Sequence, residues 1–183
     1  MADARFVGRA FAAVMGAAIL ASPGYGKPEK TEITAENGVS LTLYADEFAD
    51  HFEYDSPEVA VPGASGAIFV SRTKDKGAWG RVSVQGLIVY RGNWRFYDRG
   101  ILRGGEAIES IEGSRDVVSC AGSSGTGNCL LSETISMYPT SQQIAKHSAS
   151  GSIDIQIESK RGEDIVVSIP VSYFDALNSM AAK

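Results

Sequence analysis

Several groups of side chains in this sequence have the types and spacings that chemistry needs. Cys120 and Cys129 are the only cysteines, and they stand on either side of the Gly/Ser-rich stretch Ala121–Asn128. In an oxidising compartment such an even pair joins as a disulfide, and closing a loop of this size contributes about 2.5 to 3 kcal/mol. A redox-active pair fits poorly, because active dithiols sit in Cys-X-X-Cys at a helix start, where the dipole lowers one thiol pKa. Structural zinc needs four ligands, and only His51 and His147 could join the two cysteines. Ser123 and Ser124 lie among glycines but lack the Gly-X-Ser-X-Gly frame followed by a helix. Gly122 to Gly127 lacks the Lys-Ser/Thr of a phosphate loop.

A second group is acidic. Asp46, Glu47, Asp50, His51, Glu53 and Asp55 crowd around Phe48, Phe52 and Tyr54. Oxygen ligands at this density suit calcium, and His51 with a carboxylate suits a transition metal. The Asp-X-Asp-X-Asp-Gly order is missing, so a solvated segment anchored by its aromatics is the expected arrangement. A pair of these carboxylates doing acid and base work on a glycan is the catalytic alternative.

The third group is aromatic and basic. Trp79, Tyr90, Trp94, Phe96 and Tyr97 are interleaved with Arg81, Arg91, Arg95 and Arg99. Rings with guanidinium neighbours stack on sugars or bind peptides and anions, which makes Trp79, Tyr90, Trp94, Arg95 and Tyr97 the candidate ligand-binding residues. Strand alternation puts Trp94 and Phe96 on one face and Arg95 and Tyr97 on the other, so core packing competes for at least one pair. No catalytic residue, metal site or cofactor is assigned.

The elements that position these groups read as strands. Thr31–Ala35 and Val39–Ala45 flank Asn37-Gly38, a sequence suited to a type I′ hairpin turn. Further extended runs are Ala67–Arg72, Trp79–Tyr90 with a bulge at Gly86, Trp94–Tyr97, Glu106–Ile111 and Asp116–Cys120. Leu130–Tyr138 alternates cleanly, with Glu133 the exception on its apolar face. Ser152–Glu158 and Asp164–Val171 form a hairpin in which every second residue is Ile or Val. Thr140-Ser141-Gln142-Gln143 is a capping box that starts a short helix to His147. Ser172 is placed to cap a C-terminal helix, Tyr173–Ala181. The fold class is therefore mainly β, an antiparallel β-sandwich or barrel with one short internal helix and a C-terminal helix.

Residues 1–26 read as a signal peptide. Arg5 and Arg9 precede the uncharged run Ala10–Leu20, and Pro23 breaks the helix before the small residues ahead of a cut after Gly26. The apolar run is shorter than the roughly 20 residues of a membrane span, and 27–183 remains as a single domain without a permanent span. A net charge of −5 gives no electrostatic reason to bind nucleic acid.

From Val117 onward a strand ends at Cys120, and a loop leads to Cys129 and the strand Leu130–Tyr138. A helical turn, the hairpin Ile153–Val171 and the close Ser172-Tyr173-Phe174-Asp175-Ala176-Leu177 complete the order. Over this last third the chain resembles the invasion-associated locus B family of bacterial periplasmic proteins. The resemblance implies a periplasmic β-sandwich without known catalytic residues. The expected function is an exported, periplasmic or secreted, non-catalytic binding or envelope-interaction module. Its partner would be a glycan, a peptide or an envelope protein. The rivals are the carboxylate-based glycan hydrolase and a structural subunit that pairs through a sheet edge.

Overall fold

The computed structural model describes residues 28–120 and 129–181. The expected leader and the Gly/Ser stretch 121–128 lie outside the described residues. In chain order the elements are β1 (Glu29–Thr34), β2 (Ser40–Asp46), β3 (His51–Asp55), β4 (Val59–Ala60), β5 (Ser65–Asp75), β6 (Ala78–Trp79) and β7 (Ser83–Arg91). They continue with β8 (Tyr97–Leu102), β9 (Glu106–Cys120), β10 (Cys129–Tyr138), α1 (Ser141–His147), β11 (Ser152–Ser159), β12 (Ile165–Pro170) and α2 (Val171–Met180). Every strand pairing is antiparallel, and the order across the sheet is β1-β2-β3-β5-β7-β10-β9-β8-β11-β12, with β4 and β6 added to β5.

Strand β9 serves both halves of this sheet. Its start, Glu106–Ile108, pairs with β8, and from Glu109 to Cys120 it pairs with β10. Beyond Ile108 the two neighbours part, and a register shift between Glu133 and Ile135 bends the β9–β10 ladder. Ile68, Val70, Val84, Ile88, Ile135 and Met137 of the first half share one core with Leu102, Ile108, Ile153, Ile155, Ile157 and Val167 of the second. β1 and β12 end the strand order without pairing with each other, so among the described residues the sheet folds over its core without closing.

The period-2 isoleucines account for the second half. Ile153, Ile155 and Ile157 on β11 and Ile165, Val167 and Ile169 on β12 are all buried, while the residues between them, including Val166, are not. Phe174, Ala176 and Leu177 on one side of α2 pack into the same cluster. The capping box of α1 is formed on both sides: the Gln143 amide donates to the Thr140 hydroxyl oxygen, and Gln143 accepts from the Thr140 amide. No helix among the described residues is long and apolar enough to cross a membrane.

Local chemistry departs from the expected elements in several places, and the expected strand Trp79–Tyr90 divides into β6 and β7 at residues 80–82. The first hairpin turns through Glu36-Asn37-Gly38, with the Gly38 amide donating to the Ala35 carbonyl and only Gly38 left-handed, at φ +83°. This is the three-residue loop with a glycine bulge, not the two-residue type I′ turn. Glu106–Ile111 and Asp116–Cys120 are one long strand: Gly113 and Ser114 form a bulge opposite Thr134, held by a bond from the Ser114 amide to Thr134 Oγ1. Gly86 sits in regular register with Ile68 and Ile135, whose side chains occupy the space a Cβ would need. Ser172 lies inside α2, which starts one residue earlier behind Pro170 with no side-chain cap.

Gly66 is the most constrained glycine in the sheet. It has φ +112°, and a Cβ there would collide with the Leu87 carbonyl of the neighbouring strand. Gly66→Ala is expected to lower stability by about 2 to 3 kcal/mol, through both left-handed strain and displacement of β5 from β7. Gly38→Ala, which meets no atom within 4 Å, is expected to lose about 1 kcal/mol. Urea unfolding of the two variants checks the order, and equal losses would contradict it.

Candidate functional site

Alternation along β10 turns Glu133 toward the core, where it is 1% exposed. A buried carboxylate needs donors on its oxygens, and the chain supplies five. The Tyr90 hydroxyl donates to Oε1, as do the amides of Arg95 (3.0 Å) and Phe96 (3.1 Å). The Tyr97 amide donates to Oε2 at 3.0 Å, and Arg115 Nε approaches the same oxygen at 3.4 Å. Three successive amides can converge on one carboxylate only if the backbone curls, and Phe96 adopts φ +60° to do so. The expected strand Trp94–Tyr97 is thereby broken, and β8 begins at Tyr97.

Burial pushes the Glu133 carboxyl up, but the Tyr90 hydroxyl and the Phe96, Arg95 and Tyr97 amides outweigh it and hold the group below its ordinary value. Burial, and then the bond to Glu133, push Tyr90 well above the usual phenol range. The pair is therefore a carboxylate accepting from a protonated phenol throughout the neutral range.

The outer side of the curl carries the candidate site. Trp94, Arg95 and Phe96, with Arg91, Asn93 and Arg161, line a cavity of about 740 Å³ that Val117 and Leu131 also border. Among its lining residues are three arginines and no Asp or Glu. Arg95 lies over the Tyr90 ring at 4.4 Å and donates from Nη1 to the Tyr97 hydroxyl at 3.0 Å. Arg115 and Arg161 approach the Phe96 ring at 4.7 and 5.4 Å. The turn after β11 is pinned to the curl by bonds from the Arg161 amide to the Arg95 carbonyl (2.9 Å) and from the Lys160 amide to the Phe96 carbonyl (3.2 Å). At the rim, the Gly92 amide donates to the Cys129 carbonyl at 3.2 Å, beside the Cys120–Cys129 disulfide that joins β9 to β10.

The residues singled out by the sequence therefore separate. Trp94 and Arg95 line the cavity. Tyr90 and Tyr97, 4% and 0% exposed, form an edge-to-face pair in the core with ring centroids 6.1 Å apart. They support the site and offer no face to a ligand: the left-handed turn at Phe96 breaks the strand alternation that would have kept Arg95 and Tyr97 on one face, and both tyrosine rings are buried. Trp79 lies elsewhere, half-buried on β6 against Tyr54 (5.2 Å), with Arg72 and Lys74 over its ring. It borders a separate depression with Thr140, Ile144 and Asn178. Arg91, Phe96 and Arg161 complete the cavity; Arg161 comes from a distant turn and carries no signal of its own in the sequence.

Three members of the acidic stretch make local contacts. Asp46 accepts from the Ala49 amide at 3.0 Å, His51 Nδ1 lies 3.8 Å from Asp75, and Ser71 donates to Glu53 at 3.2 Å. Glu53 and Asp55 point the same way from one strand rather than facing each other across a cleft, on the side of β3 away from Tyr54. Burial pushes Asp55 up to about 6, with help from the Glu53 charge. Among the described residues no group of three or more His, Cys, Asp or Glu is placed to hold a metal ion.

No protein-family model matches this chain, and neither a curated protein nor a solved structure matches it.

The two carboxyls predict opposite pH signatures. Asp55 binds its proton more tightly folded than unfolded, so its share of stability falls as pH rises from about 4 through about 6. Glu133 binds its proton less tightly folded, so its share is present above the unfolded value and is lost as the pH drops through its depressed value. Asp55→Asn is expected to gain about 1 kcal/mol at pH 7, after discounting for its partial solvation, and nothing below pH 4. Glu133→Gln is expected to lose about 2 kcal/mol at pH 7, because amides and a phenol are left facing a weaker acceptor. Urea unfolding between pH 3 and 8 checks both signs.

Proposed function

We propose that this chain is an exported, non-catalytic binding module and that the cavity beside Trp94 holds an anionic ligand. The observation that carries the reading is the lining itself: the Arg95 and Arg161 guanidinium groups beside the Trp94 and Phe96 rings, with no Asp or Glu among the described lining residues, on a chain whose net charge is −5. Cations gathered against the overall sign of a protein need a reason, and an anion provides one. The site is also held in place before any ligand arrives, by the Glu133 bonds and the Lys160 and Arg161 amides, so little ordering cost falls on binding.

Export is supported by the three-part N-terminal pattern and by the Cys120–Cys129 disulfide, which persists in an oxidising compartment. The likeness to the invasion-associated locus B family over the last third points to the periplasm or cell exterior. An envelope glycan, peptide or protein bearing acidic groups is the partner this reading requires.

Two measurements test it. The full chain, expressed in a bacterium with a periplasm, is expected to be recovered there beginning at Lys27 and without titratable thiols; an intact leader with two free thiols would refute export. In NMR titrations at constant ionic strength, citrate is expected to move the Nε–Hε signals of Arg95 and Arg161 and leave that of Arg103, just past the far end of β8, in place. Uniform or absent shifts would refute the site.

A further inference from the structure

The geometry points to an anionic sugar as the ligand, a hexuronic acid unit free or at the end of an oligosaccharide, an inference that rests on the binding reading above. The cavity offers two recognition chemistries side by side. Arg95 and Arg161 supply planar guanidinium forks, which match a carboxylate with two parallel hydrogen bonds. Trp94, half-buried with its body against the core, supplies an apolar ring surface, and Asn93 supplies an exposed amide at the rim. A pyranose ring carrying a carboxylate uses both, its C–H face against the indole and its hydroxyls on the amide. The volume of about 740 Å³ falls within the roughly 300 to 1,000 Å³ typical of small-molecule sites.

Two other anions fit less well. Phosphate is usually cradled by converging backbone N–H groups, but the three amides that converge here, those of Arg95, Phe96 and Tyr97, are turned inward and satisfied by Glu133. An acidic peptide would dock most simply by adding a strand to β9, whose Val117 borders the cavity. That strand is interrupted by register shifts opposite Leu130/Leu131 and Glu133/Ile135, and irregularities of this kind block a continuous new ladder.

The test uses the full-length secreted protein with Trp79→Phe, which leaves Trp94 as the only tryptophan. Its fluorescence is titrated at constant ionic strength with galacturonate, glucuronate, galactose and acetate; in the parent chain the indole N–H signals give the same reading if the variant folds poorly. At least one uronate is expected to change Trp94 emission and to bind at least tenfold more tightly than galactose or acetate. Arg161→Gln, at an exposed position, is expected to weaken that binding at least tenfold with an unchanged urea midpoint. A tri-galacturonate arm identifies the source: tenfold tighter binding than the monosaccharide marks a polymer end, and equal binding marks a single unit. Acetate binding as tightly as the uronates, without a Trp94 response, would overturn the sugar inference and leave the anion site standing. So would binding of phosphate or a poly-glutamate peptide in place of the uronates. No response of the cavity to any of these probes or to citrate would overturn both readings.

Discussion

The bond set of Glu133 is the constraint on which the candidate site depends. A charged group in a core is costly unless its oxygens are fully engaged, and here the engagement comes from consecutive amides of one short segment. Satisfying the carboxylate thus dictates the backbone path from Trp94 to Tyr97. Phe96 is held in a left-handed conformation that costs about 1 kcal/mol or more, offset by amides that have no strand to pair with at that point. The outward placement of Trp94, Arg95 and Phe96 follows from an inward requirement.

The same carboxylate also joins the two halves of the folded sheet. Glu133 belongs to β10, Tyr90 to β7, Arg115 to β9, and the amides lead into β8. β8 continues into the second half through β11, and the turn after β11 returns to the curl through the Lys160 and Arg161 amides. The cavity therefore sits where the layers diverge, at the end of the β9–β10 ladder that the disulfide closes. Apolar packing holds the rest of the interface between the halves, and this polar knot fixes its geometry at one corner.

The β11–β12 hairpin, the Leu130–Tyr138 strand and the capping box at Thr140 were legible in the sequence because each rests on local periodicity or side-chain chemistry within a few residues. The mainly β class with two helices followed from them. The site was legible only in part. The cluster Trp94-Arg95-Phe96-Tyr97 stood out by composition, but alternation presumed a strand, and the amides instead serve a carboxylate 36 or more residues away. The trace of that partner was Glu133 itself, a charge on the apolar face of an otherwise clean strand. Read as a demand for donors, it points to a buried network, though not to which amides meet it. Arg161 could not be assigned, since its place depends on how a distant turn lands on the curl. Trp79 and the acidic stretch illustrate the converse: neighbours in sequence that the β5–β7 excursion and the β2–β3 turn carry away from the cavity.

The charge arrangement constrains what kind of recognition this cavity can perform. With a net charge of −5 the molecule as a whole does not draw anions in from a distance, and at physiological salt fields fade over about 8 Å. Arg95 and Arg161 act only on a ligand already at the mouth. Selectivity must then come from short-range terms: guanidinium geometry, the ring surface of Trp94, and partial removal of water around them. Arg95 is already committed to Tyr90 and Tyr97, so its head is oriented rather than free to follow any anion. A site built this way discriminates by shape and by the plane of the acidic group more than by charge alone, which separates it from the diffuse basic surfaces that bind polyanions through counterion release.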